Sequence, residues 1–195
     1  MFKPMLFNTE MVRAILDGRK TQTRRIIKLP EGMTGRQVGE SGNPDNPIGF
    51  SYPCGIKRPP CDAGDILWVR ETWCEPYALG QYAYHADYAD YDIIPNPYGR
   101  VSSSANMFRW HPSIHMPKEA ARTFLKVKDV RAERLRDMND PDLAKEGFSD
   151  WIRFISLWNS TIKSVDCDRY DWDSDPWVWV IEFERTEKPE GWPKA

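Results

Sequence analysis

Apolar positions change their spacing several times along the 195-residue chain, and each change predicts an element. Met5-Leu6-Phe7 reads as a short strand. Asn8 or Thr9 then caps a helix whose apolar stripe is Met11, Val12, Ile15 and Leu16. Asp17-Gly18 closes it, because glycine takes the left-handed conformation that ends a helix. From residue 21 to 27 the chain is rich in β-branched side chains and predicts a strand. There Thr21, Thr23 and Arg25 share one face, and Gln22 and Arg24 share the other. A Gly- and Pro-rich stretch over 28–63 predicts loop. Ala63-Gly64-Asp65 then turns into a strand over 66–70, Ile-Leu-Trp-Val-Arg, which Glu71-Thr72-Trp73 extends. Residues 81–86 predict a further strand and 88–108 an irregular segment.

The second half is more regular. A turn or short helix over 118–121 follows Met116-Pro117, and a strand covers 123–130. Asp140-Pro141 starts a short helix, with Asp as cap and Pro at the first position, that stops at Glu146-Gly147. A second helix runs from Ser149, with Trp151, Phe154, Ile155 and Trp158 on one stripe. Residues 177–184 alternate: Trp177, Trp179, Ile181 and Phe183 are expected to face inward, Val178, Val180, Glu182 and Glu184 the other way. This order has no long β-α-β repetition, which disfavours a doubly wound parallel sheet. It predicts an α+β fold, a small mixed or antiparallel β-barrel with helices packed outside. No internal repeat or second core suggests a boundary, so a single domain over 1–195 is expected.

Composition narrows the class. Hydrophobic residues make up 41 % and charged residues 29 %, values of a globular chain rather than a disordered one. No apolar run reaches the length of a bilayer span, and the apolar stretch near Met1 is too short for a secretory signal, so a cytoplasmic protein without membrane contact is expected. The net charge of −2 excludes a global basic field of the kind that wraps DNA. The four cysteines, at 54, 61, 74 and 167, form no C-x-x-C pair and are expected as thiols. Cys54, Cys61 and a histidine match no standard zinc spacing, and Pro112 lies between His111 and His115, so neither a metal nor another cofactor is expected.

Charge is instead local. Arg19, Lys20, Arg24 and Arg25 fall within seven residues, interleaved with Thr21 and Thr23. A hydroxyl becomes a nucleophile when a neighbouring base takes its proton, and a lysine serves if burial or nearby cations lower its pKa. Lys20 with Thr23 offers such a dyad. A basic turn placed after a helix because cations suit its C-terminus is the plainer reading.

Gly18-x-Lys20-x-x-Thr23-x-Arg25 resembles the signature of the ASCH domain family, a branch of the PUA-like barrels, which reads Gly-x-Lys-x-x-Glu-x-Arg. Thr23 departs from that glutamate but matches a subgroup, the small bacterial N4-acetylcytidine amidohydrolases, with Gly-Arg-Lys-Thr-x-Thr-x-Arg. Gly64-Asp65-Ile66-Leu67, Ala144-Lys145-Glu146-Gly147 and Trp179-Val180-Ile181-Glu182-Phe183 are similar to further segments of those enzymes. Residues 28–62 and 74–115 look like insertions relative to them and make the chain resemble the longer ASCH proteins of phages and prophages. The resemblance implies an amidohydrolase removing the acyl group from N4-acylated cytosine nucleosides. In it Lys20 is the base, Thr23 the nucleophile, and Glu146 the carboxylate that orients the lysine. Glu75, Asp87 and Glu182 are the other carboxylates open to that role. Arg19 and Arg25 are candidates to contact substrate, Arg25 at a carbonyl or phosphate oxygen. Trp68 is a candidate to stack on a base or to pack in the core, and Arg70 and Glu71 alternate beside it. The other reading is an RNA- or DNA-binding module, or a ribonuclease of the same family, holding phosphates with Arg19, Arg24 and Arg25.

Overall fold

The computed structural model describes residues 1–28, 59–75, 82–88 and 110–193. Most of both expected insertions, Cys54 among them, lies outside the described residues. The strands are β1 (Phe2–Leu6), β2 (Gln22–Ile26), β3 (Ile66–Arg70), β4 (Trp73–Cys74), β5 (Ala83–Tyr84), β6 (Phe124–Arg134) and β7 (Trp177–Thr186). The α-helices are α1 (Thr9–Leu16), α2 (Asp140–Lys145), α3 (Trp151–Ser160) and α4 (Cys167–Tyr170). Five strands form a mixed sheet in the order β1-β3-β6-β7-β2, and β4 pairs with β5 in a separate ribbon. The mixed α+β class is therefore as expected. The strand order is open, with β1 and β2 at its ends, so the described pairings do not close a barrel. Among the described residues no helix is long and apolar enough to cross a membrane.

The chain packs as two compact units, each assembled from separated stretches. The first comprises residues 1–18, 65–126 and 184–195. In it β1 runs parallel to β3, which pairs antiparallel with the start of β6. Asn8 caps α1 by accepting a hydrogen bond from the Met11 amide at 2.8 Å, and Gly18, at φ +75°, ends the turn that follows. The core gathers Trp68, Trp73, Met116, Phe124 and Trp192. The expected strand over 81–86 is only Ala83–Tyr84, because a 3₁₀ turn over His85–Asp87 takes its second half.

The second unit comprises residues 19–64 and 127–183. Here β2 pairs antiparallel with β7, placing Thr23 opposite Ile181, Arg24 opposite Val180 and Arg25 opposite Trp179. The cap of α2 is Asn139 rather than Asp140: its side chain accepts from the Asp142 amide at 3.0 Å, and Pro141 sits inside the first turn. Asp150 caps α3 in the same way. The apolar stripe of α3 buries Phe154 and Trp158 against Val178 and Val180.

That packing reverses one expectation over the first half of β7, while Ile181 and Phe183 are buried as expected. Val178 and Val180 are fully buried, while Trp177 and Trp179 are only half-buried. Period-2 alternation finds two faces but cannot say which is covered when both carry apolar residues, and α3 covers the valine face. Replacing Phe154, the residue common to most ring contacts of this core, removes contacts that the rigid sheet cannot close over. Phe154→Ala is expected to lower the unfolding free energy by about 3–5 kcal/mol, measured by guanidinium denaturation. A loss below about 1 kcal/mol would show that α3 does not anchor the unit.

Candidate functional site

The site starts at the end of α2. Glu146 is the last residue of helical geometry, and Gly147 follows at φ +91°, a left-handed conformation that suits glycine. The Gly147 amide donates to the Ala144 carbonyl at 2.9 Å and the Phe148 amide to that of Leu143 at 3.1 Å. This is a Schellman ending, with Leu143 and Phe148 both joining the α3 core. It leaves the next carbonyls without helical partners. Three consecutive residues ahead of β2 supply them. The Thr21 amide donates to Lys145 O at 2.8 Å, Lys20 Nζ to Glu146 O at 3.0 Å, and Arg19 Nη1 to Gly147 O at 3.0 Å. Two of the three donors are cations placed at the negative end of the helix dipole.

Lys20 does more than close the helix. Its ammonium also donates to Glu146 Oε2 at 2.5 Å, and both side chains are almost wholly buried, at 0 % and 3 % exposure. Glu146 Oε1 accepts from Arg24 Nη1 at 3.0 Å, so one carboxylate holds two cations. Arg24 is itself buried and faces Glu133 at 3.6 Å and Asp142 at 3.8 Å through Nη2. With the Gln22 amide turned to the orientation that satisfies both of its ends, its oxygen accepts from both terminal nitrogens of Arg24, at 2.6 and 3.1 Å, and its nitrogen donates to Glu182. Glu182 in turn takes Arg131 at 2.8 Å and lies 3.6 Å from Lys145. Burial pushes the Lys20 ammonium below its ordinary range; the Glu146 charge opposes this, and Arg25 and Arg24 add to it. Burial also lowers Arg25, against the attraction of Glu146.

Thr23 is buried on β2, two residues before Arg25 on the same face, as the strand period requires. No hydrogen bond joins the Thr23 hydroxyl to Lys20 among the described residues; the amine is engaged by Glu146. Arg25 is half-buried and within electrostatic reach of Lys20, Glu146 and Cys61. Lys20, Glu146, Arg19, Thr23 and Arg25 therefore all belong to the second unit. Of the other carboxylates considered for the role of Glu146, Glu182 serves the Gln22–Arg131 network, Glu75 is exposed, and Asp87 pairs with Arg122 at 2.7 Å.

Trp68, Arg70 and Glu71 belong to the first unit and have their own partners there. Trp68 packs edge-on to Trp192 at 5.9 Å in the apolar core, with the Arg70 guanidinium 5.4 Å from its ring centre. Arg70 also donates to the Ile114 carbonyl. Glu71 is buried and takes Arg122 through both oxygens, at 2.9 and 3.0 Å. The same guanidinium lies 3.9 Å from the Tyr84 ring, so these groups build a structural clamp. Gln22, Glu133 and Asp142 were not among the expected site residues, and Arg24 was expected as a nearby cation or a phosphate contact, not as a partner of Glu146. The signal was present: 20, 22 and 24 recur at strand period, and Asp142 precedes Glu146 by one helical turn.

The chain matches no family model, no curated protein and no solved structure.

The lowered Lys20 has a consequence for stability. In the interval between its depressed folded value and the ordinary lysine value of about 10.4, the unfolded chain binds a proton that the folded one has released. Unfolding free energy due to Lys20 therefore rises with pH through that interval. The stability of the wild type minus that of Lys20→Met is expected to increase as the pH is raised toward the ordinary lysine value in urea titrations. A flat or falling difference would mean that burial does not depress Lys20.

Proposed function

We propose that this chain is an ASCH-type amidohydrolase that removes the acyl group from N4-acylated cytosine nucleosides. The observation that carries the reading is a buried lysine, lowered by its surroundings and tied to a buried glutamate, three residues ahead of a buried threonine. A hydrolase working through a hydroxyl needs a nearby base that is neutral at working pH, and burial with two flanking arginines moves Lys20 that way.

In the proposed reaction, Lys20 turns from Glu146 to the Thr23 hydroxyl and takes its proton. Thr23 Oγ attacks the acyl carbonyl carbon, and Arg25, on the same strand face, stabilises the developing oxyanion. Collapse breaks the carbon–N4 bond, and the Lys20 ammonium returns its proton to the departing amine. Water, deprotonated by Lys20, then attacks the acyl-threonine ester; the bond from the acyl carbon to Thr23 Oγ breaks, the Lys20 ammonium returns its proton to Oγ, and the carboxylic acid leaves. Glu146 holds the ammonium between these transfers. Lys20 and Thr23 have no hydrogen bond at rest, in keeping with catalytic contacts that tighten only when substrate binds.

The nucleic-acid-binding reading relies on cations offered to phosphates. Arg24 is buried and paired, and Arg19 holds the Gly147 carbonyl, which favours a small substrate over a polymer.

The test is conversion of N4-acetylcytidine to cytidine, followed by ultraviolet absorbance. Thr23→Ala and Lys20→Ala are expected to abolish turnover, and Glu146→Gln to lower kcat by at least ~10-fold. No conversion by the wild type with any of several acyl groups would overturn the reading. Salt-dependent RNA binding or cleavage would then replace it.

A further inference from the structure

Glu146 presents two oxygens to two different cations. Oε2 meets Lys20 at 2.5 Å and Oε1 meets Arg24 at 3.0 Å, all three side chains being buried. The resemblance that named Lys20, Thr23 and Arg25 places no demand on position 24, which is a free position in its signature. Yet Arg24 is more deeply buried than Arg25 and is held from three elements. Its partners are Gln22 beside it on β2, Glu133 on β6, and Asp142 and Glu146 on and just after α2. A guanidinium cannot lose its proton in this setting, so it is a permanent charge fixed by its fork.

We propose that Arg24 is a positioning residue that holds Glu146 Oε1 and so divides the carboxylate between two cations, leaving Lys20 free to exchange the working proton. The role rests on the hydrolytic reading, in which Lys20 is the base. Without Arg24, the full charge of Glu146 falls on Lys20, and a lysine tied to an undivided carboxylate keeps its proton. With it, part of that charge is taken up elsewhere and Lys20 is released for exchange. The charged groups acting on Lys20 are Glu146, Arg25 and Arg24; removing Arg24 subtracts a repulsion and strengthens an attraction, and both hold the proton more firmly.

The experiment is a titration of Lys20 itself by NMR of carbon-13-labelled lysine, in the wild type, Arg24→Gln and Arg24→Lys. The Lys20 midpoint is expected to rise by about one pH unit in Arg24→Gln and to return most of the way in Arg24→Lys, which restores the cation. The limb of the kcat/KM profile that reports the base is expected to move with it. An unchanged or lowered midpoint in folded Arg24→Gln overturns the proposal. If that variant does not fold, Arg24→Lys decides: a Lys20 midpoint slightly above that of the wild type supports the role of Arg24, and an unchanged or lowered one overturns it. A shifted midpoint without any turnover by the wild type sinks the hydrolytic reading alone. Turnover with no shift sinks the role of Arg24 alone.

Discussion

The buried contact between Lys20 and Glu146 is the constraint around which the second unit is arranged. A charge pair taken out of water must be hydrogen-bonded on every side or it destabilises the fold. Each local feature nearby answers that demand. The left-handed Gly147 stops α2 where the Glu146 carbonyl and carboxylate both face the incoming chain. Arg19 and Thr21, flanking Lys20, take the neighbouring carbonyls, so the segment is held at three successive points. Arg24 takes the carboxylate oxygen that Lys20 leaves, and Gln22 fills the space between Arg24 and Glu182. Replacing this set by apolar residues of similar volume is often neutral or favourable for stability. Its presence here is in keeping with the use proposed for Lys20.

The first unit also contains a buried acid, and the contrast is instructive. Glu71 receives a bidentate arginine, Arg122, which is itself stacked on Tyr84 and paired with Asp87. Burial raises Glu71, and the Arg122 contacts oppose the rise; burial likewise pushes the Tyr84 hydroxyl up to about 12. An arginine partner cannot give up a proton, so this cluster fixes loops without offering exchange. Lys20 differs because burial lowers its ammonium, and a lysine, unlike an arginine, can give up its proton.

Much of this was legible in the residues. The α1 cap, the glycine endings at 18 and 147, β2, β3 and the stripe of α3 follow from spacing and turn chemistry, because each is decided within a few residues. The pairing of Lys20 with Glu146 spans 126 positions, and no periodicity reports such a contact. It was reached through the resemblance of Ala144-Lys145-Glu146-Gly147 to a segment of the amidohydrolases, which implies Glu146 as the carboxylate that orients the lysine. Arg24 was read as a cation for phosphate; the carboxylate that holds it comes from another element, which strand alternation does not report. The buried face at the start of β7 was misread for a related reason. Both of its faces carry apolar residues, and only the placement of α3 decides that the valines are covered. Trp68, weighed between stacking and packing, packs against Trp192.

The account centres on Thr23 as the atom that carries the acyl group. The most direct measurement is a rapid acid quench of the protein during turnover of a slowly hydrolysed N4-acylcytidine, followed by peptide mass spectrometry. The account predicts an acyl adduct on the peptide containing Thr23, localised to its hydroxyl. Turnover that leaves no adduct on Thr23, or places it on Lys20, would contradict it.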